Sequence, residues 1–196
     1  MTYVAPGLIA WDDPNVEEVD ERVLRKMSYR ADPEGVLAVV EIPQRALPHD
    51  ATLILVAVGI EKPGNLGAMV RTADAAGADA LLVANAQSDP WNPNAIRAST
   101  GSVFTLPILD VTREDVEALT QQKVAATLGA PHAHTEPDYK QPTAFLVGAE
   151  DEGLHEEWRT LADVQVEIPM HARTADSLNA STAAAVLLFE AVRQRA

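Results

Sequence analysis

The sequence predicts an α/β fold: an open, mostly parallel sheet with helices on both faces. Three observations carry this reading. Residues 52–58, 80–84 and 143–147 are rich in apolar residues without strict alternation, as expected of strands covered on both sides. Helix-length stretches separate them, the spacing that right-handed crossovers need. The chain has 196 residues, 47% of them hydrophobic, which suits one domain with a short appendage and a sizeable core.

Residues 1–34 read as a short N-terminal extension. The run DDPN at 12–15 suggests a turn or helix start. Val16, Val19, Val23 and Met27 then recur at roughly helical spacing over residues 16–29. Arg22, Arg25, Lys26 and Arg30 make this helix basic. It is either a solvated surface face or a contact for a polyanion.

The main domain is predicted to cover residues 35–196, opening with a strand at 35–41. Residues 43–50 form a connector with two prolines. After the central strand at 52–58 come a helix at 67–77 and a strand at 80–84. A polar connector at 85–94 leads to a short helical piece at 95–99. Residues 104–108 read as a strand near an edge, because Pro107 cannot donate to a ladder. A helix at 114–122, capped by Thr112, precedes strands at 124–128 and 143–147, which end at Gly129 and Gly148. A short helix at 154–161 and an alternating strand at 164–168 follow. Residues 183–192 are almost wholly apolar and read as a buried helix.

Composition narrows the chemistry. The chain has no cysteine, so disulfides, thiolate catalysis and cysteine metal sites are excluded. No apolar run approaches the ~18 residues of a membrane span, and no secretory signal is visible at the N-terminus. A cytoplasmic protein is the expectation. The net charge of −14 argues against a broad nucleic-acid footprint, since that needs Lys and Arg against phosphates. The fifteen basic residues still suffice to line one face.

In open parallel sheets, ligands bind beyond the C-terminal ends of the strands. Three loops there are rich in Gly, Asn, Glu or Ser. In residues 59–74, Gly64 and Gly67 allow a tight turn. Asn65 either ties this turn together or reaches a ligand. Arg71 reads as lying near the first turn of the following helix, where its five donors suit a phosphate or carboxylate. The plainer alternative is a capping Asn and a surface Arg paired with Glu61 or Asp74. Neither the phosphate-loop nor the dinucleotide glycine pattern is present. In residues 145–154, Gly148 would let a flat adenine approach the backbone. Glu150 would orient a nearby Arg, or the run Glu150, Asp151 and Glu152 simply favours the start of the next helix. In residues 168–183, Ser177 and Asn179 either cap the last helix or face a substrate. His171 is close in sequence, but no nucleophile elbow surrounds Ser177. His132 and His134 lack any zinc-site spacing, and no metal is expected.

Taken together, NLGAMVR at 65–71, LVGAEDEGL at 146–154 and IPM at 168–170 followed by SLNAS at 177–181 resemble the three motifs of the SpoU (TrmH-like) RNA 2'-O-ribose methyltransferases of the SPOUT superfamily. NAIRASTG at 94–101 is similar to the family's segment after the first motif. The resemblance covers residues 50–193. It implies a C-terminal deep trefoil knot over about 127–183, an exception to the usual topology rules. It also implies S-adenosyl-L-methionine, bound bent by groups around Thr127, Leu128, Gly129, Gly148, Ile168, Met170 and Leu178, and a homodimer with active sites near the subunit interface.

The implied reaction is methyl transfer to a ribose 2'-hydroxyl of tRNA or rRNA. Arg71 would activate that hydroxyl as a general base, or hold the neighbouring phosphate while another group takes the proton. Asn65 would shape the substrate pocket, Glu150 would orient Arg71 or Asn65, and Ser177 and Asn179 would position the target nucleotide. Many family members add an N-terminal RNA-binding domain for which residues 1–34 are too short. Arg22, Arg25, Lys26, Arg30, Arg97 and Arg173 are therefore the candidate phosphate contacts, with a dimer partner or an accessory protein as further help. Ala149 stands where many members have Asn or Ser, and Ala172 where they have Gly. Residues 170–177 are one residue longer than the common form. These departures bear on substrate more than on reaction class. The competing readings are a non-catalytic RNA- or cofactor-binding protein of the same fold, and an unrelated small-molecule enzyme on an open α/β sheet.

Overall fold

The computed structural model describes residues 1–8, 11–171 and 176–196. The chain forms two compact units, Met1–Pro43 and Gln44–Ala196. The first holds a small sheet of β1 (Thr2–Val4), β2 (Val16–Glu18) and β3 (Val36–Ala38), in the order β2-β1-β3. β1 runs parallel to β2 and antiparallel to β3. Helix α1 (Glu21–Met27) starts where the Asp20 carboxylate accepts from the Arg22 amide at 2.8 Å, which satisfies an orphan donor of the first turn.

Two sequence expectations change here. The helix over 16–29 shrinks, because Val16–Glu18 pairs as a strand and Asp20 caps a shorter helix. The strand expected at 35–41 to open the main sheet belongs to the small sheet and pairs with β1 alone.

The second unit is a seven-stranded sheet in which every pairing is parallel. Its strands are β4 (Leu53–Val58), β5 (Ala80–Ala84), β6 (Ile108–Val111), β7 (Gln122–Ala126), β8 (His132–Ala133), β9 (Thr143–Val147) and β10 (Val164–Glu167), in the order β6-β5-β4-β9-β7-β10-β8. The helices are α2 (Pro63–Ala75), α3 (Pro93–Ser99), α4 (Arg113–Glu117), α5 (Glu156–Arg159) and α6 (Ala180–Arg195).

Strand pleating sorts β4 between two cores. Leu53, Leu55 and Ala57 pack with Leu66, Met69 and Val70 of α2 and Leu187 and Leu188 of α6. Ile54, Val56 and Val58 pack with Val116 of α4 and Trp158 of α5. Adjacent side chains of a strand point to opposite faces, so a strand covered twice must be apolar throughout. All six residues of β4 are buried.

Several boundaries move for identifiable reasons. β6 begins at Ile108 rather than 104, because Pro107 offers only its carbonyl, taken by the Leu81 amide at 2.9 Å, and Ser102–Phe104 coils into a 3-10 turn. α4 is shorter than its expected span and carries the anticipated Thr112 cap, here a reciprocal capping box with Asp115. β7 ends at Ala126, two residues early. α6 begins at Ala180, three residues early. α2 begins at Pro63 rather than 67, since proline suits the first helical position. Gly67 then lies inside the helix, where a Cβ would stand 2.2 Å from the Ala95 carbonyl oxygen. Its hydrogen lets α2 and α3 touch backbone to backbone.

Candidate active site

β4 lies between β5 and β9 in the sheet. The chain leaves β4 toward one edge and later fills the other side. Loops diverge at such a switch point and leave a crevice at the carboxyl ends of the strands. A pocket of about 360 Å³ opens at this edge, lined by the ends of β7, β9 and β10 and the start of α6. Because β7 stops at Ala126, Thr127 and Leu128 are free to form one wall. Gly148, Ile168, Met170, Ser177 and Leu178 also line it.

Gly148 has a further task besides the one expected of it. A Cβ there would fall 2.1 Å from the Gly153 carbonyl oxygen. The loop from 148 to 153 folds back on itself, and the Gly153 amide donates to the Ala149 carbonyl at 3.0 Å. The missing side chain admits the protein's own backbone. Gly129 is not among the lining residues; its amide donates to the Glu167 carboxylate at 2.9 Å. Arg173 and Ala172 lie outside the described residues.

Beside this pocket, one carboxylate joins three elements. Oε1 of Glu150, just after β9, accepts from the side-chain amides of Asn65 in α2 and of Asn179, the N-cap of α6, the latter at 2.6 Å. Its Oε2 accepts from Lys62 Nζ at 2.6 Å. Asn179 Nδ2 also donates to Asn65 Oδ1 at 3.2 Å. The Asn179 oxygen meanwhile accepts from the Ser181 amide at 3.0 Å and the Ser181 hydroxyl at 2.6 Å. Asn179 thus caps α6 and bonds into this cluster at once. Glu150 holds the Lys62 ammonium above the ordinary lysine range, first by its hydrogen bond and then by its charge.

Counting donors separates the two asparagines. A side-chain amide has two N–H groups. Asn179 uses both, on Glu150 and Asn65, and its oxygen is committed to the cap. Asn65 retains one N–H beyond its bond to Glu150, so it is the amide with capacity toward a substrate. Asn179 is therefore a clamp, where the sequence motifs suggested a nucleotide contact. Ser177 is exposed at the pocket wall.

Arg71 is placed apart. With α2 starting at Pro63, it sits two turns into the helix, exposed, and not among the three partners of Glu150. Of the two partners the sequence offered Glu150, the structure brings it to Asn65 and not to Arg71. The pairing of Arg71 with Asp74 is also replaced, since Asp74 accepts from the Ser102 hydroxyl at 2.7 Å. On the helix, Arg71 follows Gly67 by one turn and precedes Asp74 by one. It therefore stands on the stripe that faces α3 and the 3-10 turn, with no hydrogen bond or ion pair among the described residues. Its donors remain available to an anion.

Sequence reasoning missed two residues. Lys62 had a usable signal, being next to the Pro that starts α2. Arg159 lines the pocket from the end of α5, and only the tertiary structure reveals that. The pocket suits an adenosyl sulfonium ligand. Leu128, Leu154, Ile168 and Leu178 offer apolar walls of the kind a flat base needs, and Glu150, Asp151, Glu152 and Asp176 put negative charge on the lining, which suits a cationic ligand. Its size lies within the usual range for small-molecule sites, roughly 300–1,000 Å³. Among the described residues no group of acidic and histidine side chains is arranged to hold a metal ion.

Known proteins agree with this geometry. A model of the SpoU rRNA Methylase family matches residues 52–189. The chain is 40% identical over 177 residues to the 23S rRNA (uridine(2479)-2'-O)-methyltransferase of Streptomyces viridochromogenes, a match to 83% of this chain and 61% of that one. It is 36% identical over 189 residues to the 23S rRNA (guanosine-2'-O-)-methyltransferase RlmB of Ralstonia nicotianae, covering 90% and 76%. The crystal structure of the SpoU methyltransferase AviRb from Streptomyces viridochromogenes, in complex with the cofactor AdoMet, superposes with a TM-score of 0.84 at 31% identity over 99% of this chain and 82% of that one. With its parallel sheet, its pocket beyond the carboxyl ends of β7, β9 and β10, and residues of its three motifs joined at Glu150, the chain belongs to the SpoU rRNA methylase family.

Proposed function

We propose that this chain methylates the 2'-hydroxyl of a ribose in ribosomal RNA, with S-adenosylmethionine as donor. One observation supports this most: Glu150 both lines the cofactor-sized pocket and holds Asn65, the amide with a free donor. Methyl donor and methyl acceptor therefore meet at one residue. When bound, S-adenosylmethionine supplies an electrophilic methyl on a sulfonium. The residues of the chain do the rest by alignment and electrostatics. Thr127, Leu128, Gly148, Ile168, Met170 and Leu178 hold the donor. Asn65 orients the target ribose. Arg71 binds the phosphate beside it as a five-donor cation; the hydroxyl proton would pass to that phosphate or another neighbouring acceptor as the oxygen gains the methyl and the S–CH3 bond breaks, leaving the neutral thioether S-adenosylhomocysteine. Ser177 closes the pocket wall on the nucleotide.

The finer points belong to the same reading. The C-terminal region from about 127 to 183 forms a deep trefoil knot, a topology supported by three neighbouring strands, β9, β7 and β10, that are out of chain order and all border one pocket. The protein acts as a cytoplasmic homodimer, and exposed Phe189 on α6, 48% accessible, is the apolar contact that supports pairing. Among the described residues no helix is long and apolar enough to cross a membrane. RNA contacts come from Arg97 and from α1. Arg25 and Arg30 pair with Asp32 and Glu34, which leaves Arg22 and Lys26 as the cations of that helix without an ion pair among the described residues. With a net charge of −14, affinity for unspecific RNA is low, and an accessory protein or RNA shape selects the site.

Offering the protein labelled S-adenosylmethionine with unmodified rRNA and unmodified tRNA in separate reactions tests the substrate. Label in rRNA alone supports the reading. Label in tRNA alone replaces rRNA by tRNA, and cofactor binding without transfer to either favours a binding protein.

A further inference from the structure

Among the described residues, Lys62 is the one partner of Glu150 that lies outside the three motifs. Its ammonium spans a small cavity of about 110 Å³ whose two walls are the turn before α2 and the loop after β9. The side chain is 71% exposed, against 23% for Glu150. An ion pair so exposed on one side contributes little to stability, so its effect lies elsewhere. A carboxylate with one oxygen holding two amides and the other free would turn about its last torsion and exchange partners. With Lys62 on Oε2, each oxygen has a fixed task.

We propose that Lys62 is a positioning residue for methyl transfer: it sets the rotation of the Glu150 carboxylate and, through Oε1, the orientation of the Asn65 amide that faces the ribose. This rests on the function proposed above. Lys62 has no side-chain bond to the start of α2; among the described residues its hydrogen bond goes to Glu150, with the charges of Asp151 and Glu61 acting more weakly. An ammonium has three donors, and one suffices for this bond. The hydrogen bond and charge of Glu150 raise the Lys62 ionisation further above the neutral range, so the ammonium keeps all three donors there. Asn65 and Lys62 leave the same turn of α2, and both end on one carboxylate 85 and 88 residues further along the chain. Misplacing a positioning group by a fraction of an ångström lowers turnover without weakening binding.

The test uses the full chain with Lys62→Met, Lys62→Arg, Glu150→Gln and the Lys62→Met/Glu150→Gln double variant. In the free protein, the Asn65 side-chain amide is followed by nitrogen-15 NMR. Lys62→Met is expected to move that resonance and speed its exchange with water, and Lys62→Arg to restore it; an unmoved resonance overturns the proposal. In turnover, Lys62→Met lowers kcat by about tenfold with KM for rRNA held within about twofold. The effect vanishes in the Glu150→Gln background, as expected of residues acting through one another. A raised KM with unchanged kcat, and a salt slope of RNA binding reduced by about one, would make Lys62 a phosphate contact and overturn positioning. If the unaltered protein transfers no methyl group while the Asn65 resonance still responds to Lys62, the functional reading fails and the positioning contact stands.

Discussion

The two edges of the seven-stranded sheet use polar side chains in opposite ways. At the N-terminal edge, side chains bond to main chain. Arg195 donates to the carbonyls of Tyr139 at 2.7 Å, Thr52 at 2.9 Å and Gln141 at 3.1 Å. Asp79 accepts from the amides of Thr52 and Leu53, and Gln121 donates to the Ala51 carbonyl. These bonds satisfy strand starts that the ladder leaves open. At the C-terminal edge, Lys62, Asn65, Glu150 and Asn179 bond chiefly to one another. Side chain to side chain bonds are the minority class in folded proteins. A cluster of them holds chemical groups relative to each other rather than closing a backbone. The first edge is frame and the second is site.

Substitutions at each edge should therefore separate stability from chemistry. The largest effect is expected from Glu150→Ala, which strands three donors. Single-turnover transfer should fall at least about 100-fold, equivalent to about 2.7 kcal/mol in barrier, with thermal stability nearly unchanged. A large loss of melting temperature would instead make Glu150 part of the frame. Arg195→Met reverses the pattern. Three carbonyls lose a donor, although Thr52 keeps the Thr143 amide and Gln141 the Thr143 hydroxyl, and denaturant titration should show a loss of about 1–2 kcal/mol, while the folded fraction keeps its affinity for S-adenosylmethionine.

Gly67→Ala sharpens the comparison, because α2 carries site residues and packs on α3. The added methyl meets the Ala95 carbonyl, so stability should fall by about 1–2 kcal/mol and transfer should weaken as well. The smallest effect concerns Glu190 in α6, whose carboxylate is brought to about 2 from 4.5, first by its hydrogen bonds to Arg193 and, against burial, by Gln194. Its folded ionisation is depressed, so its contribution is present above pH 4.5 and is lost as pH falls toward 2. Glu190→Gln should lower stability at neutral pH by of the order of 1 kcal/mol, since Arg193 is largely exposed, and should flatten the acid limb.

The buried strands were legible because twofold burial leaves an unmistakable apolar run, as in Leu53–Val58 and Thr143–Val147. In the N-terminal unit the strand at Val36–Ala38 and the core of the basic helix were legible, but β1, β2 and the separate sheet were not, since three-residue strands of mixed burial carry too short a pattern to distinguish from helix. The two-residue β8 left no signal at all. In the site, the motifs marked Asn65, Glu150 and Asn179 and offered Asn65 as one of two partners for Glu150, yet the rest of the bonding pattern was invisible. Which donor reaches which oxygen depends on contacts between residues 29 to 114 positions apart. Reading the start of α2 four residues late brought Arg71 too close to Glu150. Pro63, at the first position of the helix, held the correction.

The measurement that tests the central claim most directly is nucleoside analysis of unmodified 23S rRNA incubated with methyl-deuterated S-adenosylmethionine, for the unaltered protein and for Arg71→Ala. The account predicts one deuterated 2'-O-methylnucleoside with the unaltered protein, its loss in the variant, and equal cofactor affinity in both. Deuterium on a base, or an undiminished ribose methyl in Arg71→Ala, would contradict it.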